Sequence, residues 1–222
     1  DCRQDGMALG AGPRDSWLFN AGIAGLDEVD AVLLVGTNPR FEAPVLNARL
    51  RRRWLAGDLA VGLVGEAADL TYDYEHLGET AAALAALAKA RSGFAKVLKG
   101  AKAPALVIGA GALSGAHGAA VAHAAAQVAK AFGMSWNVLH TAASRVGGLD
   151  MGFLPGEGGL DAGAMTAKGA LDVLFLLGAD ETDLSDSDAF RIYLGSHGDA
   201  GAHAADLILP GAAYTEKDGL YV

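Results

Sequence analysis

Three short stretches have residue types that could hold a ligand largely through the backbone: Gly36-Thr37-Asn38-Pro39, Gly109-Ala110-Gly111 and Gly178-Ala179-Asp180. Each follows an unbroken apolar run. Glycine lets the chain turn tightly and approach a bound group closely, and the Asn-Pro pair favours a turn. In open α/β sheets, ligands sit in the crevice beyond such strand ends. Asp180 and Glu181 also adjoin a strand end, where a carboxylate can do acid–base work. With no partner histidine or metal cluster nearby, a solvated role fits them better.

A second pattern, Gly109-Ala110-Gly111-Ala112-Leu113-Ser114-Gly115, follows a strand and opens a helix, as a dinucleotide fingerprint does. It departs at the third glycine, where Ser114 stands. The acid expected at the end of the next strand is missing too, for Val138, Leu139 and His140 are there instead, and the ribose hydroxyls lose their acceptor. The glycines then serve a tight turn and close helix packing. His117 and His123 are six residues apart, as are His197 and His203, which puts neither pair on one helix face for shared metal binding. No P-loop and no Gly-x-Ser-x-Gly elbow occurs. The residues alone name no catalytic group and no metal ligand.

Stepping outward, Ala31–Val35 reads as a strand buried on both faces. The turn at Gly36 ends it, and a helix follows with Pro44 in its first turn, where a missing N–H does no harm. Leu46, Leu50 and Trp54 mark the buried stripe of that helix; Arg49, Arg51, Arg52 and Arg53 point mostly elsewhere, as a solvated face or a subunit contact. Further strands are expected at 59–64, 104–108, 136–139, 172–177, 191–194 and 206–209, and helices at 80–90, from Ser92 or Gly93 to Lys99, from a Ser114 cap to Phe132, and at 142–146. Tyr72-Asp73-Tyr74 lies in a polar connection, and 147–163 reads as loop with seven glycines. Residues 1–28 form an irregular lead-in with room for a short helix. The fold class is α/β: a doubly wound, mainly parallel sheet with helices on both faces. Ala31–Val35, Ala105–Ile108 and Val173–Leu177 are its expected central strands, with Val32, Leu34, Val107, Leu174 and Leu176 buried.

The chain has 222 residues, 52% hydrophobic and 19% charged, with a net charge of −9. That supports a sizeable core and argues against a general nucleic-acid binder, which would carry a basic face. Cys2 is the one cysteine. A single thiol makes no intrachain disulfide and cannot hold an iron–sulfur cluster or structural zinc. No apolar stretch is long and clean enough to span a bilayer, and no signal peptide is visible. Because the first residue is not methionine and Val222 ends an extended-looking segment, residues 1–222 read as one domain excerpted from a longer protein.

Leu34-Val35-Gly36-Thr37-Asn38-Pro39-Arg40, then Glu42-Ala43-Pro44-Val45-Leu46-Asn47-Ala48-Arg49, resembles the large iron–sulfur subunit of respiratory complex I, the NADH–quinone oxidoreductase. Cys2-Arg3-Gln4-Asp5-Gly6 fits the same subunit, and so does the segment from His197 to Gly219. These matches bracket nearly the whole chain, while the alanine-rich middle matches only in kind. The C-terminal part of that subunit is similar to the molybdopterin oxidoreductases, including formate dehydrogenases. In those, Gly-Ser/Thr-Asn-Pro turns at strand ends cradle a guanine-dinucleotide pterin.

The resemblance implies a scaffold domain in the hydrophilic arm, within a subunit that takes part in electron transfer from NADH to quinone. It implies no cofactor in this chain, with 2Fe-2S and 4Fe-4S clusters in an N-terminal part of the parent. It implies other hydrophilic-arm subunits as partners, no nucleic acid and no direct membrane insertion. The location implied is peripheral, on the cytoplasmic side of a bacterial inner membrane or the matrix side of a mitochondrial one. A vestigial pocket would be lined by Gly36, Thr37, Asn38, Gly109, Gly111, Gly178 and Asp180, with Asn38 turned inward onto neighbouring backbone groups. Its replacement by Ala would then cost ~1–3 kcal/mol. The alternative is a fragment that still binds the pterin.

Overall fold

The structure is a computed structural model that describes residues 6, 7, 9, 12–90 and 93–220. The Cys2-Arg3-Gln4-Asp5 stretch, Ser92 as a helix start, and Val222 lie outside the described residues. The chain divides into two compact units between Asp150 and Met151.

The first unit carries strands β1 (Ala31–Val35), β2 (Ala60–Val64), β3 (Glu75–Gly78), β4 (Pro104–Gly109) and β5 (Ser135–Leu139). Its helices are α1 (Gly22–Gly25), α2 (Pro39–Glu42), α3 (Pro44–Leu55), α4 (Ala81–Ala88), α5 (Phe94–Gly100), α6 (Gly118–Phe132) and α7 (Arg145–Asp150). The five strands pair in the order β3-β2-β1-β4-β5, all parallel. β1 is buried at every residue, as an apolar run in a covered parallel strand should be. Side chains alternate across the sheet: Leu33 and Val35 join Leu84, Leu98 and Val128 on one face, while Val32 and Leu34 join Leu46, Leu50 and Leu70 on the other.

Pro44 does open α3, whose buried residues are Leu46, Asn47 and Leu50. The arginines on its other faces have partners within the chain. Arg49 and Arg52 both pair with Asp27, Arg53 with Asp58, and Arg51 donates to the Thr71 carbonyl at 3.3 Å. Asn47 is the polar member of the buried stripe. Its amide donates to the Leu70 carbonyl at 3.1 Å, and its oxygen accepts from the Tyr72 hydroxyl at 2.7 Å.

Among its described residues the lead-in is tied down at two places. Arg14 and the Trp17 indole both donate to the Asp150 carboxylate. Residues 16–21 run along β5: Val138 N–H donates to the Leu18 carbonyl, Ala21 N–H to Asn137 Oδ1 at 2.7 Å, and Phe19 bridges Asn137 in antiparallel sense.

Some expectations need correction. Glu75-His76-Leu77-Gly78 forms β3, a partly exposed edge strand whose polar composition hides it from an apolar-run reading. Ser114 does not cap α6; its hydroxyl donates to the Ala110 carbonyl at 3.1 Å after a 3₁₀ turn, Ala110–Leu113, and α6 starts four residues later. Gly118 allows that late start, because a Cβ there would fall 2.0 Å from the Leu113 carbonyl oxygen. The helix expected at 142–146 runs instead from Arg145 to Asp150.

The second unit holds α8 (Ala162–Met165), β6 (Val173–Leu177), β7 (Phe190–Gly195), α9 (Ala200–Ala204) and β8 (Leu207–Pro210). Its three strands are parallel in the order β6-β7-β8. Leu174 and Leu176 are buried with Leu184, Tyr193 and Ala202. β6 is not central, however: it is an edge strand of this second sheet, and its alternate residues are exposed.

Candidate functional site: the turn at the switch point of the first sheet

From β1 the chain moves outward to β2 and β3, then returns to place β4 on the other side of β1. The reversal point is therefore the β1–β4 boundary, where Gly36-Thr37-Asn38 and Gly109-Ala110-Gly111 leave the sheet. Such a boundary opens a crevice in doubly wound sheets.

Here the backbone closes in on itself. Gly36 sits at φ +51°, and a Cβ on it would lie 2.5 Å from the Ala112 Cβ. A Cβ on Gly109 would meet the Gly36 carbonyl oxygen at 2.5 Å and the Thr37 Cβ at 3.0 Å. Gly36, Thr37 and Gly109 are thus brought into contact, with Ala112 packed over them. Gly111 stands apart, with nothing within 4 Å of where its Cβ would be.

Glu42, at the end of α2, holds the turn from below. Its carboxylate accepts from the Thr37 hydroxyl at 2.8 Å and from the Asn38 N–H at 2.7 Å. Asn38 does not behave as expected: its Oδ1 is buried with no partner among the described residues. Its backbone, not its side chain, makes the hydrogen bond to Glu42. A cavity of about 490 Å³ opens beside the turn, lined by Thr37, Asn38, Phe41, Glu42, Glu66 and Asp69. A second, largely apolar one of about 510 Å³ lies toward α4 and α6 and includes Val35, Leu84, Ala112 and Val121.

Gly178 and Asp180 belong to the second unit. Gly178 turns the chain after β6 at φ +59° and donates to the Leu194 carbonyl at 2.7 Å. Asp180 is not a free solvated carboxylate. One oxygen accepts from the Tyr193 hydroxyl at 3.1 Å, the other from the Gly201 N–H at 3.1 Å. Burial, and then the bond to Asp180, pushes the Tyr193 hydroxyl above its ordinary range. Asp180 therefore anchors the start of α9 to β7.

The histidines are dispersed. His140 follows β5 with Nε2 2.8 Å from the Trp17 carbonyl oxygen, so Nε2 carries the proton. Burial lowers its pKa most, and Nδ1 has no partner among the described residues. His76 Nε2 lies 2.8 Å from the Gly65 carbonyl oxygen. Among the described residues no three His, Cys, Asp or Glu side chains group to hold a metal ion.

A phosphate at the Gly36 turn would need the Thr37 hydroxyl and the Asn38 N–H as donors. Glu42 already takes both, and charge-assisted bonds of this kind are the stronger ones. Glu66 and Asp69 line the same cavity; Asp69 is paired with Arg40, but Glu42 and Glu66 leave the lining net negative, the wrong sign for a polyanion. The turn does not fit the phosphate of a nucleotide-bearing pterin.

Two substitutions test this geometry. Glu42→Ala should destabilise by about 1–3 kcal/mol, since it strands two donors. Asn38→Ala should stay within about 0.5 kcal/mol of the unmodified chain or stabilise it, because the oxygen it removes has no partner. Urea midpoints measured on both would reverse this account if the two effects were exchanged.

A parallel, doubly wound sheet with glycine turns at its strand ends is the setting in which the family assignment falls. The sequence matches the molybdopterin oxidoreductase family over residues 1–222, and the chain belongs to that family. The mitochondrial NADH-ubiquinone oxidoreductase 78 kDa subunit of Neurospora crassa is 44% identical over 229 residues, covering 97% of this chain and 29% of that protein. The same subunit of Candida albicans is 41% identical, covering 100% of the chain and 31% of that protein. The mitochondrial NADH dehydrogenase [ubiquinone] iron-sulfur protein 1 of Solanum tuberosum is 40% identical, covering 99% and 30%. The chain thus spans less than a third of the length of these curated relatives, and its resemblance to the large complex I subunit extends over nearly all of its own length. A solved structure, the formyltransferase/hydrolase complex from Methylorubrum extorquens in complex with methylofuran, aligns with a TM-score of 0.53 at 16% identity. It covers 82% of this chain and 62% of that one, and indicates shared fold alone.

Proposed function

We propose that residues 1–222 form a non-catalytic scaffold within the large iron–sulfur subunit of an NADH–quinone oxidoreductase, whose whole takes part in electron transfer from NADH to quinone. The observation that carries this reading is Glu42. In a family whose glycine turns otherwise serve a pterin, a carboxylate of the chain itself satisfies the turn's donors. Identity of 40–44% to complex I subunits supports the placement.

On this reading the iron–sulfur clusters belong to an N-terminal part of the parent polypeptide, and this segment carries neither cluster nor pterin. Gly36, Thr37, Asn38, Gly109 and Gly111 are remnants of a binding surface of the first unit, where Gly36 and Gly109 now serve close packing; Gly178 and Asp180 form a separate turn in the second unit. The partners are other subunits of the hydrophilic arm, held peripherally on the cytoplasmic or matrix side. Among the described residues no helix is long and apolar enough to cross a membrane.

The test is cofactor analysis of the parent subunit purified anaerobically in its complex. Iron should match only cysteines outside residues 1–222, and acid extraction should release no pterin. Stoichiometric pterin that is lost in a Gly109→Val variant would establish the alternative, a cofactor-binding fragment.

A further inference from the structure

Trp17 is held at two points, and the two holds titrate in different ranges. Its carbonyl oxygen accepts from His140 Nε2 at 2.8 Å, and its indole donates to Asp150 Oδ1 at 3.0 Å. Arg14 donates to the same carboxylate at 3.0 and 2.8 Å. One residue thus joins the lead-in to the residue that follows β5 and to the last residue of α7.

Neither of the segments joined there has much structure of its own. Residues 17–20 lie in no helix or strand and contribute only the Phe19 bridge. α7 is six residues long with Gly147-Gly148 at its middle, and glycine is a poor helix former. Ser144 enters it through the left-handed region, at φ +62°. Segments with so few regular bonds open locally, well before the domain unfolds. Their closure depends on the bonds at Trp17.

His140 supplies the sensitive one. Its Nδ1 is buried with no partner among the described residues. The ring lines an apolar cavity of about 410 Å³ with Phe19, Ile23, Val45, Leu46, Leu139 and Val146, none of which titrates. The charged group that acts on the ring is Arg145 of α7. A neutral ring with its proton on Nε2 satisfies the Trp17 carbonyl and keeps Nδ1 an acceptor. A second proton makes Nδ1 a donor, in an apolar setting, beside a cation. Burial accordingly lowers the His140 pKa most; the Trp17 bond opposes this, and Arg145 lowers it further.

We propose that His140 is an acid-sensitive latch on the lead-in. Protonation at its buried Nδ1 releases the Trp17 carbonyl, frees residues 16–21 from β5, and loosens the hold on α7. Open, the ring binds a proton below its ordinary 6.5; closed, it does so only at lower pH. Closure is therefore at full strength above 6.5 and weakens as pH falls through that value. The Asp150 bonds do not share this range. Arg14 first, and Trp17 second, hold that carboxyl below its ordinary 3.8, so these bonds persist far into acid. Near neutral pH the latch answers to His140.

The experiment follows amide exchange in the full-length subunit within its complex from about pH 7.5 to about 5.5, corrected for the intrinsic pH dependence of exchange. Val138 donates to the Leu18 carbonyl and Ala21 to Asn137 Oδ1, so their amides report the junction. Their opening should rise by up to about tenfold over this range, while β1 stays unchanged. His140→Gln keeps an amide that can donate to the Trp17 carbonyl but does not titrate, and it should abolish the pH response. In the unmodified protein, exchange of the imidazole C2 hydrogen reads the His140 midpoint directly, and that midpoint should lie below 6.5. An equal pH response in the His140→Gln protein would overturn the proposal. So would flat exchange in the unmodified protein, or a midpoint at or above 6.5, two results that need no variant to fold.

Discussion

Leu34→Ala is expected to lower unfolding stability by ~2–5 kcal/mol, the range for a Leu truncated in a rigid core. Leu34 is fully buried in the middle of β1, level with Leu63 of β2 on one side and Val107 of β4 on the other. It packs in the same cluster as Leu46 and Leu50 of α3. Backbone pairing on both sides leaves the strand little freedom to collapse into the void, which favours the upper half of the range. The urea midpoint should fall with little change in slope. A loss near zero would mean that β1 is not the centre of the sheet.

Gly36→Ala should cost roughly 2–4 kcal/mol, because two penalties add at one position. An alanine at φ +51° strains its own backbone, and its Cβ would sit 2.5 Å from that of Ala112. The two can be separated. Ala112→Gly in the same chain relieves the contact and leaves the backbone strain, so the double variant should recover about half of the loss. Full recovery would remove backbone strain from the explanation; no recovery would remove the contact.

The parts of the fold that the sequence made legible are those whose side chains meet one kind of environment. β1 and β4 are apolar throughout because helices cover both faces, and α3 declares itself through Pro44, Leu46 and Leu50. β3 was illegible because an edge strand keeps polar residues such as Glu75 and His76. The position of the turn is legible in the sequence, and its hydrogen bonding is not. The turn at Gly36 and the end of β4 do meet, but the Asn38 side-chain oxygen does not find the backbone partner that the sequence predicts for it. Glu42 holds the turn instead. Its distance of four and five residues from Asn38 and Thr37, across a single helical turn begun by Pro39, was the available signal. Asn47 carried none, since a buried amide in an apolar stripe is recognised only by its partners, Leu70 and Tyr72.

Residues 16–21 have a consequence for how this polypeptide behaves at high concentration. A strand at the end of a sheet is a template on which neighbouring molecules can polymerise. β5 would be such a template, but the Leu18 carbonyl, the Phe19 bridge and the Asn20 amide on the Trp136 carbonyl occupy its outer rim. The lead-in thus serves as a gatekeeper against aggregation without belonging to any regular strand. Colloidal behaviour of the first unit is therefore written partly in a segment outside its regular strands, and trimming that segment would unseal the sheet as well as remove Phe19 from the core it packs against.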